Sequence, residues 1–416
     1  MSTYTRRDVV RMFSASSLAA LVGARLEHEA RADAKPARAK SLVVLWMNGG
    51  QSHVDTWDPK PGTPQGGPHK AIKTATPGLS ISEHMPELAR LSQKLCVVRG
   101  LVHKEGNHQR ANALLHTSYS PTPTVEHPSL GGWVSKRLGP TPRGLPAFVS
   151  LGGPSHSAGF FGVQHGPFVL QKPGGLPQNV THAPQVDDRR FASRLGLLEQ
   201  LEADFAARTG DAKVEGRRAL TSQAVALMRC PDLPAFDLAN VPKATLAAFG
   251  DTDFGRGCLV ASRLVGAGTR YVEVALDGWD THVDNFGRTK KLMGTLDAGF
   301  SALLRELDQR GLLASTTIAL LTDFGRTPRI NGNDGRDHHP QASSLVLAGA
   351  GIRAGQVHGE TDAEGGKVVK GAVTVPSVVA TLATVMGLDP GDTAMSPAGR
   401  PIALADAGTP VRELLA

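Results

Sequence analysis

Three apolar runs of strand length each end in a cluster of polar, ligand-type side chains, and this repetition restricts the fold more than any other feature. Leu42-Val43-Val44-Leu45-Trp46-Met47 runs into Asn48-Gly49-Gly50-Gln51-Ser52-His53-Val54-Asp55. Tyr271-Val272-Glu273-Val274-Ala275-Leu276 runs into Asp277-Gly278-Trp279-Asp280-Thr281-His282. Thr316-Thr317-Ile318-Ala319-Leu320-Leu321 runs into Thr322-Asp323-Phe324-Gly325-Arg326. In an open parallel α/β sheet, ligands bind at the carboxyl ends of the strands. Three such tips, far apart in sequence, are expected to converge on one place holding carboxylates, imidazoles and a guanidinium.

Between the tips, the chain alternates strand and helix patterns, which implies a parallel sheet with right-handed crossovers. Helices are expected over Glu83 to Leu95, Asn107 to His116 and Ser129 (as N-cap) to Leu138. Further helices are expected over Gly257 to Val265, Phe286 to Arg310 with Gly311 at its end, and Val375 to Met386. Additional strands are expected at Leu95–Val98, Ala147–Leu151 and Ser344–Ala348. Residues 152–184, crowded with Gly, Pro and His, read as a long loop-rich insert, and residues 187–229 as a helical insert forming an αα-hairpin. The 416 residues suit one large α/β domain, over 35–416, carrying these insertions. The 47 glycines and 28 prolines fit short elements joined by tight turns and long loops.

Residues 1–34 read as an export address. Thr5-Arg6-Arg7-Asp8-Val9 is a twin-arginine pattern, a weakly apolar stretch from Met12 to Ala24 follows, and Ala32-Asp33-Ala34 is an A-x-A cleavage site. The expected mature protein is periplasmic or secreted, delivered by the twin-arginine machinery with cleavage near Ala34. A stable membrane anchor is not expected, because no later run is long enough for a spanning helix and no cysteine lies at the cleavage point. Export of a folded chain favours a cofactor bound before translocation. The net charge of +7 is dispersed, with no Lys/Arg run and no aromatic-basic interleaving. Nucleic acid is therefore not an expected partner, whereas a small anion is compatible. Cys96, Cys230 and Cys258 are too few and too scattered for a zinc framework, although a Cys230–Cys258 bridge is conceivable.

Several tip residues have metal-ligand chemistry. Asp280 and His282, two apart beyond a strand, supply a carboxylate and an imidazole of the kind that hold a divalent ion; the alternative is turn chemistry built on Asp277-Gly278. Asp323 is either a ligand or the partner of Arg326, and Arg326 is a candidate clamp for an anion through paired N–H donors. Asp337-His338-His339-Pro340 adds two loop histidines, with His338 the favoured ligand. Asn48 is a weak oxygen ligand. A Gly-Gly turn at Gly49 and Gly50 explains the glycines but neither His53 nor Asp55. His108, at the start of an expected helix, is placed to face the same site.

These segments resemble the DUF1501 family, twin-arginine-exported proteins of the alkaline phosphatase/sulfatase-like superfamily. The resemblance rests on Asn48 to Pro61, on Gly278-Trp279-Asp280-Thr281-His282, on Asp323-Phe324-Gly325-Arg326-Thr327-Pro328 and on Gly335-Arg336-Asp337-His338. It implies a three-layer α/β/α sandwich with a mostly parallel central sheet. It also implies one or two divalent ions (zinc, calcium, magnesium or manganese), with Asp280, His282, Asp323 and His338 as ligands and Asn48 where superfamily enzymes usually carry aspartate. Leu114-Leu115-His116-Thr117 is similar to the Leu-Leu-Thr-Gly of sulfatases, which puts Asn107 or His108 at the nucleophile position instead of a hydroxyl or thiol. The activity implied is hydrolysis of a small anionic ester, or of a sulfated or phosphorylated glycan. His108 would serve as nucleophile or, with His53, as proton carrier, and Arg326 would steady the anion. The competing reading is a secreted metal- or anion-binding relative that kept the fold without the nucleophile.

Overall fold

The computed structural model describes residues 38–209 and 213–416; the expected export segment, 1–34, lies outside them. In chain order, the central sheet is built from β1 (Ser41–Met47), β2 (Leu95–Val102), β3 (Phe148–Leu151), β4 (Phe168–Leu170) and β5 (Tyr271–Leu276). It continues with β6 (Thr316–Thr322), β7 (Ser343–Gly349), β8 (Gln356–His358) and β9 (Val373–Thr374). The spatial order is β8-β2-β7-β6-β1-β5-β3-β4, with β9 also beside β2. All pairings are parallel except those of β7, which runs opposite to both β2 and β6.

Strand side chains alternate between two apolar cores. Val43, Leu45 and Met47 of β1 enter one core with helices α6 (Asp253–Gly266) and α7 (Asn285–Gln309), through Cys258, Leu264, Phe300 and Leu303. Leu42, Val44 and Trp46 enter the other with α2 (His108–Thr117), α3 (Leu130–Leu138) and α8 (Val375–Val385), through Leu115, Trp133 and Leu382. Each fully buried aliphatic side chain is worth about 1.5–3 kcal/mol, so a sheet with helices on both faces is the arrangement that buries both sides of these strands. The result is the expected three-layer, mostly parallel sandwich.

Local signals set the helix ends. Asn107, Ser129 and Thr252 are extended N-caps whose side chains accept from the N–H groups of Arg110, Gly132 and Gly255. Gly311, at φ +67, follows the last turn of α7. Two expectations are corrected. The Glu83–Leu95 helix shrinks to α1 (Pro86–Arg90), because Ser80–Ser82 pairs with Ala71–Lys73 and the Glu83 N–H bonds the Lys70 carbonyl, extending a hairpin up to the proline. The 152–184 loop contains an edge strand, β4, paired with β3. The helices α4 (Asp188–Thr209) and α5 (Lys213–Met228) are linked by Arg217 to Glu202 at 3.0 Å. All three cysteines are free and buried, so Cys230 and Cys258 form no bridge. No described helix is long and apolar enough to cross a membrane.

Candidate metal centre

The three motif strands are neighbours, in the order β6-β1-β5, and their ends are level: Met47 pairs with Leu276 on one side and Thr322 on the other. The polar tips therefore leave the sheet together. They are stitched to one another by the Trp279 N–H to the Asn48 carbonyl at 3.2 Å, and by Thr322 Oγ1, which donates to the Met47 carbonyl and accepts from the Gln51 N–H, both at 2.7 Å. Gly49, at φ +111, lets the first tip lie against the second; a Cβ there would sit 2.5 Å from the Asp280 nitrogen. A short ribbon then folds the third tip back, with Arg326 opposite His338. A fully buried ion pair, Arg336 to Asp55 at 2.7 and 3.0 Å, ties that loop to the first tip, which accounts for Asp55.

Three imidazoles point at one carboxylate oxygen. Asp280 Oδ1 lies 3.4 Å from His108 Nε2, 3.2 Å from His282 Nε2 and 3.4 Å from His338 Nε2. The Nε2 atoms of His282 and His338 are 3.0 Å apart. His108, Asp280 and His338 place ligand atoms within 4.8 Å of one another, and His282 adjoins them. With bonds of about 2.0–2.1 Å, neighbouring ligands of a tetrahedral zinc lie about 3.3 Å apart, close to the separations seen here.

The opposite nitrogen of each ring faces an acceptor. His108 Nδ1 meets Asp323 Oδ2 at 2.6 Å, His282 Nδ1 meets Asp337 Oδ1 at 2.9 Å, and His338 Nδ1 meets the Gly106 carbonyl at 2.7 Å. Such partners hold the proton on Nδ1 and leave the Nε2 lone pair facing inward. Three lone pairs and a carboxylate then confront one another, an arrangement a cation relieves. His108 Nε2 is buried without a hydrogen-bond partner, so the donor set fits a divalent ion. The mouth is open to solvent: the side chains of Asp280, His282, His108 and His338 are 46%, 41%, 33% and 26% exposed.

The same contacts set the charges. Burial opposes ionisation of Asp280, but the hydrogen bond and charge of Arg326, with His108 and His282, hold its pKa at about 2. Hydrogen bonding to Asp323 raises His108, whereas burial lowers His338.

Several sequence expectations change place. Asp280, His282 and His338 come together. Asp323, expected as a ligand, is fully buried behind His108: its Oδ2 meets that ring and accepts from the Gly49 N–H at 3.3 Å, while its Oδ1 has no hydrogen-bond partner. His108 belongs to the inward-facing set, and its Nε2 is directed at the same point as the other two rings. Arg326 is fully buried and has no N–H left for a substrate. Its five donors go to the carbonyls of Gly49, Gly50 and Arg336, to Asp280 Oδ1 and, at a long 3.4 Å, to His282 Nε2. Asn48 is diverted, donating to Asp277 at 2.8 Å and accepting from Trp46 at 3.3 Å. His53 is buried elsewhere, with Nε2 2.7 Å from the Gly365 carbonyl and its ring stacked on His339. Asp337 was missed as an orienting group, although its position directly before His338 was the available signal.

A family model described as "Protein of unknown function (DUF1501)" matches residues 39–415. The chain belongs to the DUF1501 family. Among solved structures, this DUF1501 chain is similar to the PsFucS1 sulfatase from Pseudoalteromonas sp. (12% identity, TM-score 0.41, covering 87% of this chain and 70% of that one). It is also similar to the lipoteichoic acid synthase LtaP from Listeria monocytogenes (10% identity, TM-score 0.40, 86% and 75% covered). A third likeness is to the zinc complex of the C-terminal periplasmic domain of EcEptC from Escherichia coli (10% identity, TM-score 0.40, 92% and 93% covered). No curated protein sequence matches this DUF1501 member.

Proposed function

We propose that this protein is an exported, metal-dependent hydrolase of phosphate or sulfate esters. The observation that carries the reading is the convergence of three Nε2 atoms on Asp280, each ring anchored outward through Nδ1. Asp280, His108, His282 and His338 would hold a divalent ion. Asp323, Asp337 and the Gly106 carbonyl keep the rings turned inward, and Arg326 balances the carboxylate from the buried side. A divalent ion at such a site polarises an ester oxygen and lowers the pKa of bound water. The exposed mouth admits a small anionic ester or a glycan bearing one. Delivery by the twin-arginine pathway accords with loading of the ion before export.

A second reading, a metal- or anion-binding relative without catalysis, has one observation in its favour. The start of α2 offers no hydroxyl or thiol: Asn107 caps the helix and His108 faces the carboxylate. Metal analysis of protein folded in the cell, followed by a panel of nitrophenyl phosphate and sulfate esters, separates the two. The hydrolase reading expects a bound divalent ion and turnover that His282→Ala abolishes. Bound metal with every ester untouched favours the second reading, and absence of metal sinks the hydrolase.

A further inference from the structure

A second group of metal-type side chains lies outside the centre just described. His69 and the pair Glu83-His84 flank the base of the hairpin formed by Ala71–Lys73 and Ser80–Ser82. Pairing of Ala71 with Ser82, and the Glu83 N–H to the Lys70 carbonyl at 2.9 Å, fix the two flanks side by side. His84 Nε2 lies 3.0 Å from His69 Nδ1. The two rings meet edge to face at 4.6 Å, and one ligand atom from each of His69, Glu83 and His84 lies within 4.8 Å of the others.

The tautomer of His69 follows from its far side. Its Nε2 is 3.2 Å from Thr289 Oγ1, and the Thr289 hydroxyl gives its own proton to the Asn285 carbonyl at 2.6 Å. Thr289 must therefore accept, His69 carries its proton on Nε2, and the Nδ1 lone pair points at His84. Phe286 closes one side of the His69 ring at 5.6 Å. One carboxylate oxygen of Glu83 is held by the Lys70 N–H at 2.9 Å, which orients the group. A hydrogen bond from His84 to His69 would satisfy the two rings alone; a cation between the three groups takes in the Glu83 carboxylate as well, whose ligand atom lies within 4.8 Å of both rings' nitrogens. Two imidazole nitrogens and one carboxylate form a three-ligand set that suits zinc better than magnesium or calcium.

We infer that His69, Glu83 and His84 form a second divalent-cation site, of zinc type, which fastens the hairpin to the first turns of α7. The occupant would be coordinated by His69 Nδ1, His84 Nε2 and a Glu83 oxygen, with water completing the shell. The role is structural: α7 begins three residues after His282, so pinning Phe286 and Thr289 steadies the loop that carries Asp280 and His282.

The test is zinc titration of the full chain after removal of metal, followed by calorimetry and by elemental analysis. In a His282→Ala/His338→Ala background, the hairpin site is expected to retain zinc. Adding His69→Asn and His84→Asn should weaken that binding about a hundredfold or more and remove the zinc-dependent rise in Tm. Circular dichroism checks folding of each variant. Should the background not fold, the comparison moves to the wild-type chain, where His69→Asn/His84→Asn should lower the zinc count by one. Unchanged affinity in the first format, or an unchanged count in the second, overturns the proposal. The first centre is judged separately, by whether His282→Ala/His338→Ala alone lowers the wild-type count.

Discussion

At the scale of single residues, the centre separates groups that face inward from groups that aim them. Asp323 is the sharpest case, because a carboxylate at a strand tip is equally suited to either task, and its 2.6 Å contact with His108 Nδ1 supports the second. Asp323→Asn keeps an acceptor for that ring but removes the charge, so divalent affinity should fall by about 10–100-fold, measured by competition with a chromogenic chelator. Complete loss of metal, equal to that of His282→Ala, would mean that Asp323 is itself a ligand. Asn48→Ala should leave the metal content unaltered, since the amide is occupied by Asp277 and Trp46. The sequence could not distinguish His108 from Asp323 in this respect. Inner and outer positions differ by the width of one imidazole ring, and that displacement is set by where α2 packs.

At the scale of elements, the tips are held by backbone contact. Gly49 is the tightest point, with a left-handed φ and no room for a methyl beside the Asp280 backbone. Gly49→Ala should cost about 1–3 kcal/mol of stability through strain alone, seen as a lower Tm. It should also weaken metal binding, because the second tip must shift. A variant with native Tm and native metal affinity would show that the two loops are less closely packed than described. The three key strands and most helices were legible in the sequence because their signals are local: apolar runs, the Ser129 cap and Gly311 after α7; the Thr252 cap was not read, and α6 begins four residues before the expected Gly257. The hairpin at Ala71–Lys73 was not legible. Its strands are three residues long, too short to show a period, and the apolar spacing of Met85, Leu88 and Leu91 concealed where the helix begins.

At the scale of the whole molecule, buried histidines set the response to acid. Burial holds His53, His103 and His156 down to about 4. Between pH 6.5 and 4, the unfolded chain binds protons that the folded chain refuses, so stability falls as the pH drops. A fully buried ring such as His53 can contribute up to about 3 kcal/mol to that loss. His116 works the other way. Burial opposes its charge, but Glu273 and the Asn112 carbonyl raise it overall, so its contribution is present below pH 6.5 and fades as the pH rises. His108 is raised as well, but the lowered rings, which also include His69, His84, His127, His165 and His338, outnumber these two, which predicts a Tm that declines steadily on acidification from pH 7 to pH 4.5, followed by calorimetry; a flat profile would contradict the burial of these rings. For export, Arg6→Lys/Arg7→Lys should retain the protein in the cytoplasm on fractionation, and unaltered delivery would remove the twin-arginine assignment.

The reversed direction of β7 has a consequence for how this architecture can vary. A parallel strand in that position would require the chain to cross to the far rim before re-entering the sheet. Because β7 starts on the rim where β6 ends, the intervening segment begins and finishes at the same edge, and Arg326 and His338 are neighbours after only a brief excursion. Such a segment is anchored at its far point by the buried Arg336–Asp55 pair, so a change in its length would displace Asp337 and His338 together while both apolar layers stay in place.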